Sequence, residues 1–243
     1  MAKNFRLYIK EPLAPEKIVI LDEAQSHYLK NVVKMSSQDT VSCFDGQNGE
    51  FSTSILNIGK KNITLKIADK IKPFYACPDI WLLFAPLKKD CTDFVIEKAT
   101  ELGCRRILPV ITEHTNTINI KIDRYLAQSI EAAEQCRRTD IPEIAAPQAL
   151  DTLLTNWDSQ RTLFYMDETL NSPSFYTVLQ NNPTNKAAVL IGPEGGFSPH
   201  ELAALHNTSF ARGATLGPRI LRAETAALAA LSCWQLISGD WSK

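Results

Sequence analysis

The chain has 243 residues, 44% of them hydrophobic, with 26 Lys+Arg against 27 Asp+Glu for a net charge of −1. That apolar content excludes a disordered segment and supports a packed core, in one large domain or two modest ones. The near-neutral balance argues against a uniformly basic nucleic-acid binder, and no apolar run approaches the roughly 18 residues of a membrane span.

The charge is uneven along the chain. Residues 1–75 carry 11 basic and 8 acidic residues, the remainder 15 and 19, so the N-terminal segment is the better place for phosphate contacts. Residues 1–8 lack the apolar core of a signal peptide. The six cysteines, Cys43, Cys77, Cys91, Cys104, Cys136 and Cys233, are scattered without any Cys-x-x-Cys; this suits reduced thiols and a cytoplasmic location. The four dispersed histidines form no zinc signature, and no metal is expected.

In chain order, residues 5–72 read as short strands with turns. Ile18–Leu21 is apolar, and Asp22 is placed to cap a short helix running to Lys34. Val41–Phe44, the turn Asp45-Gly46-Gln47-Asn48-Gly49 and the returning Glu50–Leu56 predict a hairpin. Ile63–Ile67 alternates as a third strand. Pro73 and Pro78 then interrupt any regular element. Beyond them the texture changes. Ile80–Ala85 is continuously apolar, as in a strand buried on both faces. A helix over about 90–102 ends at Gly103. Arg106–Ile111 follows as a strand, 123–138 as a helix, Arg161–Met166 as a strand and about 173–180 as a helix. Ala187–Ile191 is the next strand, and Ser198-Pro199-His200-Glu201 opens a helix with a capping box and a proline at its first position. A strand near 212–216 and a helix over about 223–238 complete the pattern. Alternating strands and helices predict a parallel α/β domain. We place a small β-rich domain over 1–73 and the α/β domain over 74–243.

Two loops carry the chemistry. Ile191-Gly192-Pro193-Glu194-Gly195-Gly196-Phe197-Ser198 and Leu216-Gly217-Pro218-Arg219-Ile220-Leu221-Arg222 each follow a strand and precede a helix, where ligands of open α/β folds bind. Glycines let the backbone approach a ligand. The first loop has neither the Lys-Ser/Thr of a P-loop nor Gly-x-Gly-x-x-Gly. Its Glu194 would repel phosphate, so a neutral or cationic ligand fits better. A tight strand-to-helix turn explains the same glycines, and a local ion pair explains Arg222 with Glu224; the loops alone leave both readings open.

These stretches resemble the 16S rRNA uridine-N3 methyltransferases of the SPOUT superfamily. The resemblance is carried by Gly192–Ser198 with Glu201, Leu216-Gly217-x-Arg219-Ile220-Leu221-Arg222-x-Glu224-Thr225-Ala226, Lys98–Gly103, Glu131–Arg138 with Ile141-Pro142, Arg6-x-Tyr8, His27–Lys34 and Asp45-Gly46…Gly49-Glu50-Phe51. It spans nearly the whole chain in order. Cys91-Thr92 departs from the family's polar-basic continuation, and Lys34 stands where the family often has arginine.

The resemblance implies a SPOUT methyltransferase domain with a C-terminal trefoil knot, preceded by a PUA-like RNA-binding β domain. Composition alone would never predict a knot. It implies S-adenosylmethionine as cofactor, 16S rRNA or the small ribosomal subunit as partner, a homodimer, and no membrane. The cofactor is expected at Met166, Glu168, Leu190, Ile191, Gly192, Pro193, Glu194, Gly195, Gly196, Leu216, Gly217, Ile220, Leu221 and Thr225, largely through backbone groups. Arg222 is the candidate catalytic residue, steadying a uridine anion. Arg6, His27, Lys34, Arg137 and Arg138 are the candidate RNA contacts. The rival readings are a SPOUT methyltransferase acting on another RNA site, and an RNA-binding ribosome assembly factor without catalysis.

Overall fold

A computed structural model describes residues 4–35, 39–117 and 119–241. The chain divides into two compact units: residues 1–76 with 133–141, and residues 77–132 with 142–243. The first unit is therefore not one continuous segment, as a division at 73/74 would make it.

The first unit is built on a five-stranded sheet. Its strands are β1 (Asn4–Tyr8), β2 (Ile18–Ile20), β3 (Thr40–Phe44), β4 (Glu50–Ile58) and β5 (Ile63–Lys72), in spatial order β1-β3-β4-β5-β2. β3 and β4 form the expected hairpin, with Phe44 opposite Glu50. Gly46 and Gly49 both have positive φ there, and a side chain at Gly49 would meet the Lys72 carbonyl oxygen at 2.3 Å. Alternation puts Leu7, Val19, Val41, Cys43, Phe51, Ile63, Leu65 and Ile67 in one core. The side chain of Asp22 accepts from the backbone N–H of Gln25 and starts α1 (Glu23–His27). The helix then widens into a π-helical turn, Tyr28–Val32, short of Lys34.

The second unit is a parallel sheet flanked on both faces. Its main strands are β6 (Asp79–Phe84), β7 (Arg106–Ile111), β8 (Glu143–Ile144), β9 (Gln148–Ala149), β10 (Thr162–Met166), β11 (Lys186–Ile191) and β12 (Ala211–Ala214), in order β12-β10-β11-β6-β7-β8, with β9 also on β7. The helices are α2 (Lys89–Glu101), α3 (Ile122–Cys136), α4 (Leu150–Thr155), α5 (Phe175–Asn181), α6 (Pro199–His206) and α7 (Ala223–Ile237). Alternate residues of each strand feed opposite cores. Ile80, Leu82, Phe84, Phe164, Met166, Val189 and Ile191 share one with Ala227, Ala230, Leu231 and Trp234 of α7. Leu83, Leu163, Tyr165, Ala188 and Leu190 share the other with residues of α4 and α6. This double burial explains the unbroken apolar run in β6. Gly103, at φ +75°, ends α2. The small residues of α7 let it pack closely on β6, β11, α2 and α5.

Parallel register brings the strand ends into line. Ile191 pairs with Phe84, Tyr165 with Leu190, and Met166 with Ala214. The loops that leave β10, β11 and β12 therefore depart from one edge of the sheet. Among the described residues no helix is long and apolar enough to cross a membrane.

Candidate functional site

A cavity of about 510 Å³ opens at that edge. β10 supplies Met166 and the following Asp167, Glu168 and Leu170; β11 supplies Ile191, then Gly192, Pro193 and Glu194. β12 supplies Ala214, followed by Leu216, Arg219, Ile220, Leu221 and Arg222. Ala223, Glu224 and Ala226 of α7, Lys88 at the N-cap of α2 and Cys91 in its first turn complete the lining. The two loops singled out in the sequence thus meet at one pocket, with a third from β10. Its volume lies in the roughly 300–1,000 Å³ range of small-molecule sites.

Of the expected cofactor residues, Met166, Glu168, Ile191, Gly192, Pro193, Glu194, Leu216, Ile220 and Leu221 line this cavity. Leu190, Gly195, Gly196, Gly217 and Thr225 do not. Leu190 is fully buried in the opposite core, as strand alternation requires for the neighbour of Ile191. Gly217, at φ +105° with open space around it, is needed for its backbone alone.

Gly196 has a different reason. Its φ is +71°, and a Cβ there would lie 1.5 Å from Glu168 Oε1. The bare Cα lets the carboxylate from the β10 loop rest against the β11 loop. On the other side, His114 Nδ1 lies 3.1 Å from the Gly195 carbonyl oxygen and 2.9 Å from that of Gly196; both oxygens can only accept, so the Nδ1–H tautomer donates. The loop then enters α6 through a complete capping box. The Ser198 hydroxyl accepts from the Glu201 N–H, and Glu201 Oε2 accepts from the Ser198 N–H. The other oxygen of the buried Glu201 carboxylate accepts from the Glu113 N–H at 2.9 Å. The loop after β7 thereby braces the glycine loop twice. Sequence reasoning missed His114; its place just past the end of a parallel strand was the available signal.

The electrostatics are mixed. Burial would raise the Asp167 carboxyl, but hydrogen bonds from Ser172 and Thr169 hold it below the usual carboxylate range. Those bonds, 2.7 Å from each hydroxyl, curl residues 167–172 around the buried carboxylate. Burial and then the Asp167 charge push the neighbouring Glu168 carboxyl up. Arg222 and Glu224 form no ion pair, against the local-pair reading. Arg222 is exposed and is the N-cap of α7, with no side-chain cap bond. The first N–H groups of α7 thus lack a capping side chain beside the cavity. Arg219, Glu224, Lys88 and Cys91 were not among the expected site residues.

The expected RNA contacts divide. His27 and Lys34 are exposed, and Lys34 has φ +50°. Arg137 is exposed at φ +63° and ends α3 one residue after Cys136, earlier than the 138 read from sequence. Arg6 and Arg138 are instead engaged by groups of the protein itself, and Arg6 shares the lining of one cavity with Arg137. The Arg6 side chain is 8% exposed and pairs with Glu50 at 2.9 Å. Its guanidinium donates to the carbonyls of Ala133 at 2.6 Å, Glu134 and Arg138, and stacks on Phe44. It closes the carbonyl end of α3, where a cation is favoured. Arg138 is bidentate to Asp140, with a side chain 4% exposed. Among the described residues, no group of three or more His, Cys, Asp or Glu is placed to hold a metal ion.

Comparison with known proteins defines the class. Residues 76–235 match the family model of the RNA methyltransferase domain, and residues 21–68 that of the RNA methyltransferase PUA domain. The ribosomal RNA small subunit methyltransferase E of Buchnera aphidicola subsp. Schizaphis graminum is 33% identical over 98% of each chain. Its Rickettsia conorii counterpart is 30% identical over 97% of this chain and 96% of its own. The Neisseria gonorrhoeae ribosomal RNA small subunit methyltransferase E, solved bound to S-adenosyl methionine, superposes with a TM-score of 0.87 at 27% identity, covering 98% of this chain and 99% of its own. A Legionella pneumophila structure in complex with the same cofactor gives 0.87 at 31% identity over 98% and 99%. The chain belongs to the ribosomal RNA small subunit methyltransferase E family.

Proposed function

We propose that this protein transfers a methyl group from S-adenosylmethionine to N3 of a uridine in 16S rRNA, acting as a cytoplasmic homodimer on the small ribosomal subunit. The observation that carries the reading is the cavity at the aligned ends of β10, β11 and β12, where carboxylates and an unpaired arginine face one space.

The lining fits the cofactor. Gly192 offers backbone without a side chain, Met166, Ile191, Leu216 and Leu221 offer an apolar bed, and Glu168, Glu194 and Glu224 complement a cation. Phosphate-cradling features are missing from both loops, in keeping with a ligand that carries positive charge and no phosphate. A knotted passage of the chain through β11, β12 and α7 is part of the same reading. When bound, S-adenosylmethionine supplies an electrophilic methyl group on a sulfonium.

The remaining requirement is a nucleophile. Uridine N3 is protonated and lies on the Watson–Crick edge, so the base must be unpaired and its anion stabilised. Arg222 stands where it can do this: exposed, free of an ion-pair partner, and at the positive end of the α7 dipole. The backbone loops orient the reacting groups, which for an in-line displacement is the larger part of the work. In a turnover assay with labelled S-adenosylmethionine and 16S rRNA, Arg222→Ala should lose about 100-fold or more in kcat, with cofactor affinity by calorimetry retained. Unchanged turnover would remove Arg222 from the mechanism.

A further inference from the structure

We propose that a second cavity, built wholly within the first unit, is a pocket for an unpaired nucleotide of RNA. The inference rests on the reading that the substrate is RNA, and adds to it a particular binding place. The cavity has a volume of about 810 Å³, enough for a nucleotide.

Its walls have the three chemistries that a nucleotide presents. Phe5, Tyr28 and Ile71 are apolar or aromatic, and Tyr28 and Ile71 are 38% and 54% exposed. Asn4 and Gln135 bring side-chain amides, which can both donate to and accept from a base edge. Lys72 and Arg137 bring exposed cations for phosphate. Two lining anions are already engaged: Glu50 by Arg6 and Ser42, and Glu134 by the Tyr8 N–H. With the Arg6–Glu50 pair neutral, Lys72 and Arg137 outweigh Glu134.

Two backbone irregularities converge on this cavity. Tyr28 opens the π-helical turn, a rare conformation that recurs at functional sites. Arg137 holds a left-handed φ of +63° without being glycine, while its carbonyl oxygen accepts from Lys72 Nζ at 2.7 Å. Such strain persists where surrounding structure enforces it, and it clusters at ligand sites. Here the exposed Arg137 and the exposed Lys72 line the same cavity. An extruded base on Tyr28 with its phosphate on Lys72 and Arg137 uses both the aromatic face and the cations. A duplex, whose bases are stacked and paired, has nothing to place in the cavity.

Arg137→Gly separates a functional from a structural role, because the two readouts move in opposite directions. Glycine relieves the left-handed strain and raises the thermal midpoint, yet removes a phosphate contact. The assay is fluorescence anisotropy of the full-length protein with a short labelled single-stranded RNA of mixed sequence, and with the same RNA annealed to its complement. The wild type should prefer the single strand. Tyr28→Ala should weaken that binding by about fivefold or more, while Tyr28→Phe keeps the stacking face and the affinity. Arg137→Gly should lower affinity and flatten the salt dependence by about 0.7 in log–log slope. Affinities of Tyr28→Ala and Arg137→Gly within about twofold of wild type would overturn the pocket alone, provided methyl transfer to 16S rRNA persists. A wild type that binds neither RNA would overturn the RNA reading with it. Losses seen on assembled small subunits but not on naked RNA would assign the cavity to a ribosomal protein and equally overturn it.

Discussion

Arg6 shows how a single side chain can be worth more inside than on the surface. Its removal leaves Glu50, whose side chain is 9% exposed, as an unpaired carboxylate, and strips three carbonyls of their donor. Breaking a buried pair from one side costs about 3–5 kcal/mol. Arg6→Ala is therefore expected to lower the urea midpoint of the first unit sharply; a surface arginine would change the unfolding free energy by less than about 0.5 kcal/mol. Glu168 makes a different prediction. Its carboxyl is raised above the ordinary value by burial and by Asp167, and a bound cation favours the ionised form. Cofactor binding should release a proton in that window, and affinity should increase as pH rises through the Glu168 titration. Calorimetry of Glu168→Gln should show that dependence gone; a persisting one would detach Glu168 from the cofactor. The internal role of Arg6 is hidden from the sequence by range. Its carbonyl partners lie 127 to 132 residues away, and no local pattern announces them. His114 and the Gly195–Gly196 turn, 81 and 82 residues apart, were hidden for the same reason.

Elements were legible where the signal is local. The capping box at Ser198–Glu201, the glycine stop after α2, the β3–β4 hairpin and the alternating cores follow from spacings of a few residues, and the structure forms each of them. β8 and β9, with two residues each, have no periodicity to read, and α4, with six, has little more. The placement of β8 and β9 depends on pairing with β7, a tertiary fact. The capping box also ties α6 to the loop after β7 through the Glu113 N–H. Ser198→Ala should cost about 1 kcal/mol in denaturant unfolding. Glu201→Ala should cost more, because it orphans two backbone donors, and should weaken cofactor binding by loosening the glycine loop. Equal effects of the two substitutions on both measurements would contradict that coupling.

At the scale of the molecule, the first unit borrows residues 133–141 from a later part of the chain. An isolated 1–76 fragment lacks the carbonyls that Arg6 serves and the Arg138–Asp140 pair. It should show a broadened, low-temperature unfolding transition by circular dichroism, whereas a self-sufficient domain would melt cooperatively. The second unit gathers the lining of its cavity at one sheet edge, with β10, β11 and β12 in register and α7 beginning beside their ends. The most direct test of this account is to incubate the protein with labelled S-adenosylmethionine and either naked 16S rRNA or small ribosomal subunits, digest the RNA, and identify the labelled nucleoside. The expected product is 3-methyluridine at a single site. Label on another atom or another RNA, or cofactor binding without any transfer, would contradict it.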